Sequence, residues 1–128
     1  GKSQLLIANE SDILFIGYGN GVGRAAQTIE CMEEKPSLLD LRFVKPLDSD
    51  MLRSMAQKHK RWYVFSDSSR MGGVGSALIE WLAQERIYDV NVITFEYEDK
   101  FIKHGNTKLV EESLGLLPDQ LAAKVIVE

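Results

Sequence analysis

The sequence lacks several features that particular classes of protein require. It has a single cysteine, Cys31, which excludes a disulfide within the chain and fits a reducing compartment. Its two histidines, His59 and His104, are far apart in sequence from each other and from Cys31, which argues against a zinc site. No apolar run approaches the ~20 residues of a membrane span, and no signal peptide is recognisable. The sequence therefore predicts a cytoplasmic protein without a membrane segment.

An excess of positive charge is also missing. The 15 Lys and Arg residues against 19 Asp and Glu residues give a net charge of −4, so we predict neither nucleic acid nor an anionic membrane as a partner. The hydrophobic content of 45% and the length of 128 residues suit a globular protein with one core. We therefore expect a single domain over residues 1–128. Because the chain begins with Gly1 rather than Met, we expect it to be a fragment of a longer protein.

What the chain does contain is an alternation of strand-like and helix-like segments. The predicted strands are residues 4–8, 13–17, 38–44, 62–66 and 90–95, and the predicted helices are residues 21–34, 48–60, 73–87, 107–114 and 118–124. This alternation predicts a three-layer α/β/α fold with a mostly parallel sheet of about five strands. Because only a short turn separates the first two strands, the first is expected to be antiparallel to the second or to lie at a sheet edge.

The third strand and the second helix are joined by Asp40-Leu41-Arg42-Phe43-Val44-Lys45-Pro46-Leu47-Asp48. Pro46 cannot donate a hydrogen bond to a sheet, so the strand is expected to end there. Asp48 can accept backbone N–H bonds at the start of the next helix, and Asp50 suits the first turn of that helix. Lys45 and Asp48 could take part in chemistry, but these backbone roles explain the segment without it.

Two glycine-rich segments each follow a strand and open a helix. In residues 17–23, Gly21-x-Gly23-x-x-Ala26 has the spacing of a dinucleotide-binding fingerprint, but it lies inside the expected helix. Asp40 is at a suitable distance for the acidic residue of that fingerprint, yet it is predicted in mid-strand. A tight turn with close packing of helix on sheet explains these glycines better.

The second glycine-rich segment covers residues 67–76. Free N–H groups at its helix start could hold an anion with help from Arg70. The candidate anion-binding or interface residues are therefore Arg70, Gly72, Gly73 and Gly75. The alternative, which we favour, is a tight turn in which Gly73 and Gly75 let a neighbouring segment approach closely.

No other side chains form a recognisable catalytic, cofactor-binding or metal-binding pattern. His59 belongs to a basic helix end, where positive charge complements the helix dipole. Cys31 is expected to be a buried helix residue, because no nucleophile motif surrounds it. The large aromatic side chains Trp62, Trp81 and Phe95 are expected in the core.

Three segments resemble one enzyme family. The nine residues from Asp40 to Asp48 resemble the signature of 1-deoxy-D-xylulose-5-phosphate synthase. Met71-Gly72-Gly73-Val74-Gly75-Ser76-Ala77 resembles the helix start of its carboxy-terminal domain, and Asp99-Lys100-Phe101-Ile102-x-His104-Gly105 with Leu114-Gly115-Leu116 resembles its final segment. The segments occur in family order and span most of the chain. They fit this synthase more specifically than transketolase or the 2-oxoacid dehydrogenase β-subunits, which share the domain.

The resemblance implies a transketolase C-terminal-like domain of a homodimeric enzyme. The parent enzyme would condense pyruvate with glyceraldehyde 3-phosphate, using thiamine diphosphate and Mg²⁺, in isoprenoid and thiamine precursor synthesis. In such enzymes the cofactor-binding motif and the activating glutamate lie in preceding domains, and neither occurs in this chain. We therefore expect the chain to be inactive alone, to bind neither cofactor nor metal, and to pack on the preceding domains.

Two alternatives remain from the sequence. The chain could be a stand-alone module that binds a nucleotide or a phosphate through one of its glycine-rich segments. It could also be a regulatory docking module, which would carry a large exposed apolar patch.

Overall fold

The computed structural model describes residues 2–66 and 73–96, in which five strands and three helices alternate. The elements are β1 Gln4–Ile7, β2 Ile13–Tyr18, α1 Gly21–Glu30, β3 Ser37–Asp40, α2 Ser49–Lys58, β4 Arg61–Ser66, α3 Gly73–Gln84 and β5 Asn91–Glu96. All the strands and helices predicted within these residues are present, most with shifts of a few residues at their ends. The helices predicted over residues 107–114 and 118–124 lie outside the described residues.

The five strands form one sheet in the order β1-β3-β2-β4-β5. β3, β2, β4 and β5 run parallel, and β1 pairs antiparallel with β3 at the sheet edge. The prediction of an edge position for the first strand is confirmed, but its antiparallel neighbour is β3 and not β2. α1 packs on one face of the sheet, and α2 and α3 pack on the other. The predicted three-layer α/β/α fold with a mostly parallel sheet is therefore confirmed.

The face that α1 covers holds an aromatic cluster. Phe15 lies at the centre, with its ring centroid 4.8 Å from that of Phe65 and 5.9 Å from that of Tyr63. Phe95 of β5 extends the cluster, 5.2 Å from Phe65, and is buried as predicted. The aliphatic side of α1, including Ile29, packs on this cluster and covers it from solvent.

The opposite face is an aliphatic core with two tryptophans. Because successive strand residues point to opposite faces, Leu14 and Val64 lie here, next in sequence to the aromatic residues of the other face. Leu52 of α2 and Trp81 of α3 pack against them, and Trp62 is fully buried. Both tryptophans are therefore core residues, as the sequence predicts. No helix within residues 2–66 and 73–96 combines the length and apolarity needed to cross a membrane.

The third strand is shorter than predicted. β3 ends at Asp40 rather than at residue 44, although Leu41 adds one further hydrogen bond to β2 through its N–H and the Gly17 carbonyl, at 2.9 Å. Arg42 then adopts φ 64°, a left-handed conformation that turns the chain out of the sheet. The apolar residues beyond this turn, including Val44, pack onto the core from a loop. The apolar run in the sequence is therefore longer than the strand.

Cys31 is exposed, contrary to the prediction that it is buried on a helix. α1 ends at Glu30, four residues before the predicted end, and Cys31 occupies the capping position that follows. We therefore expect the native protein to react stoichiometrically with a thiol reagent such as 5,5′-dithiobis(2-nitrobenzoate) before any unfolding. A thiol that reacts only after addition of denaturant would contradict this position.

Candidate functional site at the carboxyl edge of the sheet

The carboxyl ends of β2, β3 and β4 meet at one edge of the sheet because these strands are parallel. The chain leaves β2 toward β3 on one side and leaves β4 toward β5 on the other. In an open α/β sheet, such a reversal of strand order creates a crevice at the carboxyl edge, where ligands of this class of fold usually bind. The first glycine-rich segment and the loop of residues 41–48 start at this edge, where β4 also ends at Ser66.

The first glycine-rich segment is packed too closely for side chains. A Cβ atom on Gly17 would lie 2.6 Å from Cα of Val22, and one on Gly21 would lie 1.8 Å from the carbonyl oxygen of Phe65. Gly19 adopts φ 61° in the turn that leads from β2 into α1. The interpretation of these glycines as a tight turn with close helix–sheet packing is therefore confirmed at Gly17 and Gly21.

Asp40 is placed differently from the prediction. It is the last residue of β3, opposite Gly17 in the parallel register, and not in mid-strand. This position suits the acidic residue of a dinucleotide fingerprint better than expected. The spaces beside Gly17 and Gly21, which a diphosphate would need, are nevertheless filled by Val22 and by the backbone of Phe65.

The second glycine-rich segment is described only from Gly73 onward. Gly73 begins α3 with φ 63°, a conformation that favours glycine, and Gly75 is buried in the first turn. Arg70 and Gly72 lie outside the described residues. A role for these four residues in binding an anion or a partner remains a prediction.

Asp48 connects two parts of the chain that are 45 residues apart. Its Oδ1 accepts the backbone N–H of Met51 at 3.3 Å, which confirms the predicted cap of α2. Its Oδ2 accepts the N–H of Ser3 at 2.9 Å and the Ser3 hydroxyl at 3.1 Å. Desolvation alone would raise the pKa of Asp48, but the hydrogen bonds from Ser3 and Met51 outweigh it and lower the pKa.

We expect Asp48→Ala to destabilise the protein by about 1 to 2 kcal/mol at neutral pH, because it removes a helix cap and the anchor of Ser3. Since the folded-state pKa is lowered, the stabilisation is present above the unfolded-state pKa and is lost as the pH falls through the folded-state pKa. Urea unfolding at several pH values should therefore show wild type and variant converging below about pH 4. Asp50→Ala is the control, because Asp50 is fully exposed in the same helix turn and its carboxylate pairs with the exposed Arg53 at 3.2 Å. An Asp50 effect as large as that of Asp48 would contradict the assignment.

Between α2 and α3 lie two grooves of similar size but different chemistry. The carboxyl-edge groove, of about 640 Å³, has an apolar lining formed mainly by Val44, Pro46, Leu47, Ala77 and Trp81. The indole N–H of Trp81 donates to the Ser49 hydroxyl at 3.0 Å and ties α3 to the start of α2.

The amino-edge groove, of about 610 Å³, lies at the other end of the same two helices. Arg53 pairs there with Glu85 at 2.6 Å, and Lys60 pairs with Asp89 at 2.9 Å. The hydrogen bond from Lys60 lowers the pKa of Asp89, and the hydrogen bond to Glu85 raises the pKa of Arg53. The charged side chains of this groove therefore largely neutralise one another.

His59 has a structural place that sequence reasoning missed. Its side chain is buried, and its Nδ1 lies 2.6 Å from the carbonyl oxygen of Ser11, so this nitrogen carries the proton in that contact. The His59 carbonyl accepts the indole N–H of Trp62 at 3.0 Å. Its basic neighbours in sequence indicated a helix end whose charge complements the helix dipole and gave no sign of this burial. Among residues 2–66 and 73–96, no three His, Cys, Asp or Glu side chains are grouped so that they could hold a metal ion.

Comparison with known proteins agrees with the resemblance in the motifs. The family model of the transketolase C-terminal domain matches residues 1–121. A 1-deoxy-D-xylulose-5-phosphate synthase of Sulfurimonas denitrificans is 66% identical over 97% of this chain and 20% of its own length. Proteins of the same name from Nitratiruptor sp. and Aliarcobacter butzleri are 54% and 53% identical over 98% of this chain. The resemblance to this synthase is confirmed.

Among solved structures, the chain is similar to a protein described as "Split gene transketolase, inactive beta4 tetramer". The TM-score is 0.79 at 22% identity, over 95% of this chain and 40% of that one, which supports the fold alone. The chain spans about one fifth of the length of the curated relatives named above and corresponds to their C-terminal part. With a parallel-sheet α/β/α fold and a family match over nearly its whole length, the chain belongs to the transketolase C-terminal domain family.

Proposed function

We propose that this chain is the carboxy-terminal structural and assembly domain of a cytoplasmic, homodimeric 1-deoxy-D-xylulose-5-phosphate synthase. The observation that carries the proposal is the 66% identity over 97% of the chain to a synthase of that name, of which the chain spans one fifth. The parent enzyme would join two carbons of pyruvate to glyceraldehyde 3-phosphate. The products are 1-deoxy-D-xylulose 5-phosphate and carbon dioxide.

The parent enzyme would use thiamine diphosphate and Mg²⁺, which we assign to preceding domains. At the first glycine-rich segment, the described residues do not fit the diphosphate. The spaces beside Gly17 and Gly21 at the carboxyl edge are occupied by protein atoms, so no cradle for a diphosphate remains there. The carboxylates that flank the loop of residues 41–48 and could be considered for Mg²⁺ are Asp40 and Asp48. Of these, Asp48 already accepts three hydrogen bonds from protein groups.

Cofactor binding and turnover measured on two proteins test this proposal. Isothermal titration calorimetry with thiamine diphosphate and Mg²⁺ should detect binding to the full-length parent and none to the 128-residue chain. Carbon dioxide release from pyruvate and glyceraldehyde 3-phosphate should likewise occur with the full-length parent and not with the 128-residue chain. Micromolar cofactor binding by the 128-residue chain, or a parent without synthase activity, would overturn the proposal.

A titration with nucleotides and phosphate tests the alternative that the chain is a stand-alone binding module. A ligand that binds the folded chain raises its melting temperature progressively with ligand concentration. We expect the melting temperature of the 128-residue chain to stay constant with ATP, NAD and inorganic phosphate. A concentration-dependent increase would favour the binding module over the assembly domain.

A further inference from the structure

We propose that the carboxyl-edge groove is the docking site for the polypeptide that directly precedes this domain in the parent chain. The proposal rests on the proposed function, because it requires a parent chain with preceding domains. The surface lies between the loop that enters α2 and the face of α3 from Ala77 to Gln84, and the proposed occupant is an apolar segment.

The first argument is where the chain enters the domain. Ser3 is held to Asp48 by two hydrogen bonds, of 2.9 and 3.1 Å. Asp48 directly follows Leu47 and precedes Ser49, both of which line the groove. Polypeptide that reaches Ser3 from preceding domains therefore arrives beside the groove. Each residue spans at most about 3.5 Å, so even a short apolar segment next to Ser3 can reach it.

The second argument is the chemistry of the groove. Its walls are mainly apolar, and the charged side chains on its rim, Lys45 and Glu80, are both exposed. The amino-edge groove offers the contrast, because its arginine, lysine and carboxylate side chains pair with each other across the opening. An apolar segment gains free energy by covering the carboxyl-edge groove, whereas in the amino-edge groove it would desolvate charged groups.

The third argument is the amount of chain that is available. The curated relatives are about five times as long as this chain, and the chain corresponds to their C-terminal part. A large preceding polypeptide must therefore pack somewhere on this domain if the domain is to be held in the enzyme. The apolar groove lies next to Asp48, to which Ser3 is bonded where that polypeptide enters the domain.

Photo-crosslinking in the full-length parent tests the proposal. The light-activated residue p-benzoylphenylalanine replaces Glu80, and in a second protein Gln84, both of which line the groove and are exposed. Gln57, exposed in the amino-edge groove, carries the same probe as the control. We expect the Glu80 and Gln84 probes to form crosslinks within one chain, several-fold more than the Gln57 probe. Mass spectrometry should identify the partner peptides as sequence upstream of this domain.

Each other outcome overturns the docking proposal. A product with the mass of two chains would show that a second copy covers the groove. Crosslinks to residues of this domain alone, or a yield no higher than at Gln57, would show that no preceding segment lies there. Synthase activity is measured on the same samples and on the unmodified parent. An active enzyme without the expected crosslink refutes the docking site and leaves the proposed function standing, whereas an inactive unmodified parent refutes the proposed function.

Discussion

Gly21→Ala is expected to destabilise the protein by about 3 kcal/mol. The added Cβ atom would lie 1.8 Å from the carbonyl oxygen of Phe65 and 2.4 Å from its carbonyl carbon. These are backbone atoms of β4, which is paired on both sides with β2 and β5, so they cannot move away without breaking sheet hydrogen bonds. Because α1 must instead lift from the sheet, its contacts with the aromatic core are weakened as well.

Gly23→Ala is the matched control for this substitution. Gly23 lies two residues further along α1, and a Cβ atom there would meet nothing within 4 Å. Alanine is favoured over glycine in a helix by up to about 1 kcal/mol, so this variant should be as stable as wild type or more stable. Urea unfolding followed by far-ultraviolet circular dichroism compares the two free energies. Equal effects at both positions would contradict the close packing of Gly21 on β4.

Phe15→Ala is expected to cost about 3 to 5 kcal/mol, the largest effect of any substitution proposed for this protein. Phe15 is completely buried on β2 and lies between the rings of Phe65 and Tyr63. Its removal leaves a cavity that neighbouring strands cannot close, since β2 is paired on both sides. It also removes two aromatic contacts of the cluster.

Phe43→Ala is the control for Phe15. Phe43 is 44% exposed in the loop after β3, so its truncation removes little buried surface and should cost about 1 kcal/mol or less. Because the chemical change is the same at both positions, a difference in the free energy of unfolding between the two variants reports the burial of Phe15 in the core. If the two variants unfolded at similar urea concentrations, the placement of Phe15 at the centre of the core would be wrong.

The order and type of the elements could be predicted from the sequence because buried positions produce a recognisable pattern of apolar residues. Strands such as β2 and β4 are covered on both faces and therefore appear as short apolar runs between turns. The same signal misplaced the end of β3. Leu41, Val44 and Leu47 are also apolar because they pack on the core, but they do so from a loop. The left-handed conformation of Arg42, which ends the strand, leaves no trace in hydrophobic periodicity.

The candidate site was predictable only where its causes are local in sequence. The capping of α2 by Asp48 and the tight packing of Gly17 and Gly21 follow from residue types beside a strand end, and both were anticipated. The bond from Ser3 to Asp48 joins residues 45 positions apart, and the groove beside Trp81 forms only when α2 and α3 lie side by side. Such contacts depend on the order of strands in the sheet, which the sequence did not specify for β1.

The bonds between Ser3 and Asp48 also determine where this domain could move within the proposed parent enzyme. Two hydrogen bonds fix Ser3 to the start of α2, and the antiparallel pairing of β1 with β3 begins one residue later, at Gln4. Ser3 and the residues of β1 therefore move with the sheet as one unit. A pivot between this domain and the polypeptide before it has to lie N-terminal to Ser3, and loss of the Asp48 carboxylate would allow that pivot to shift toward β1.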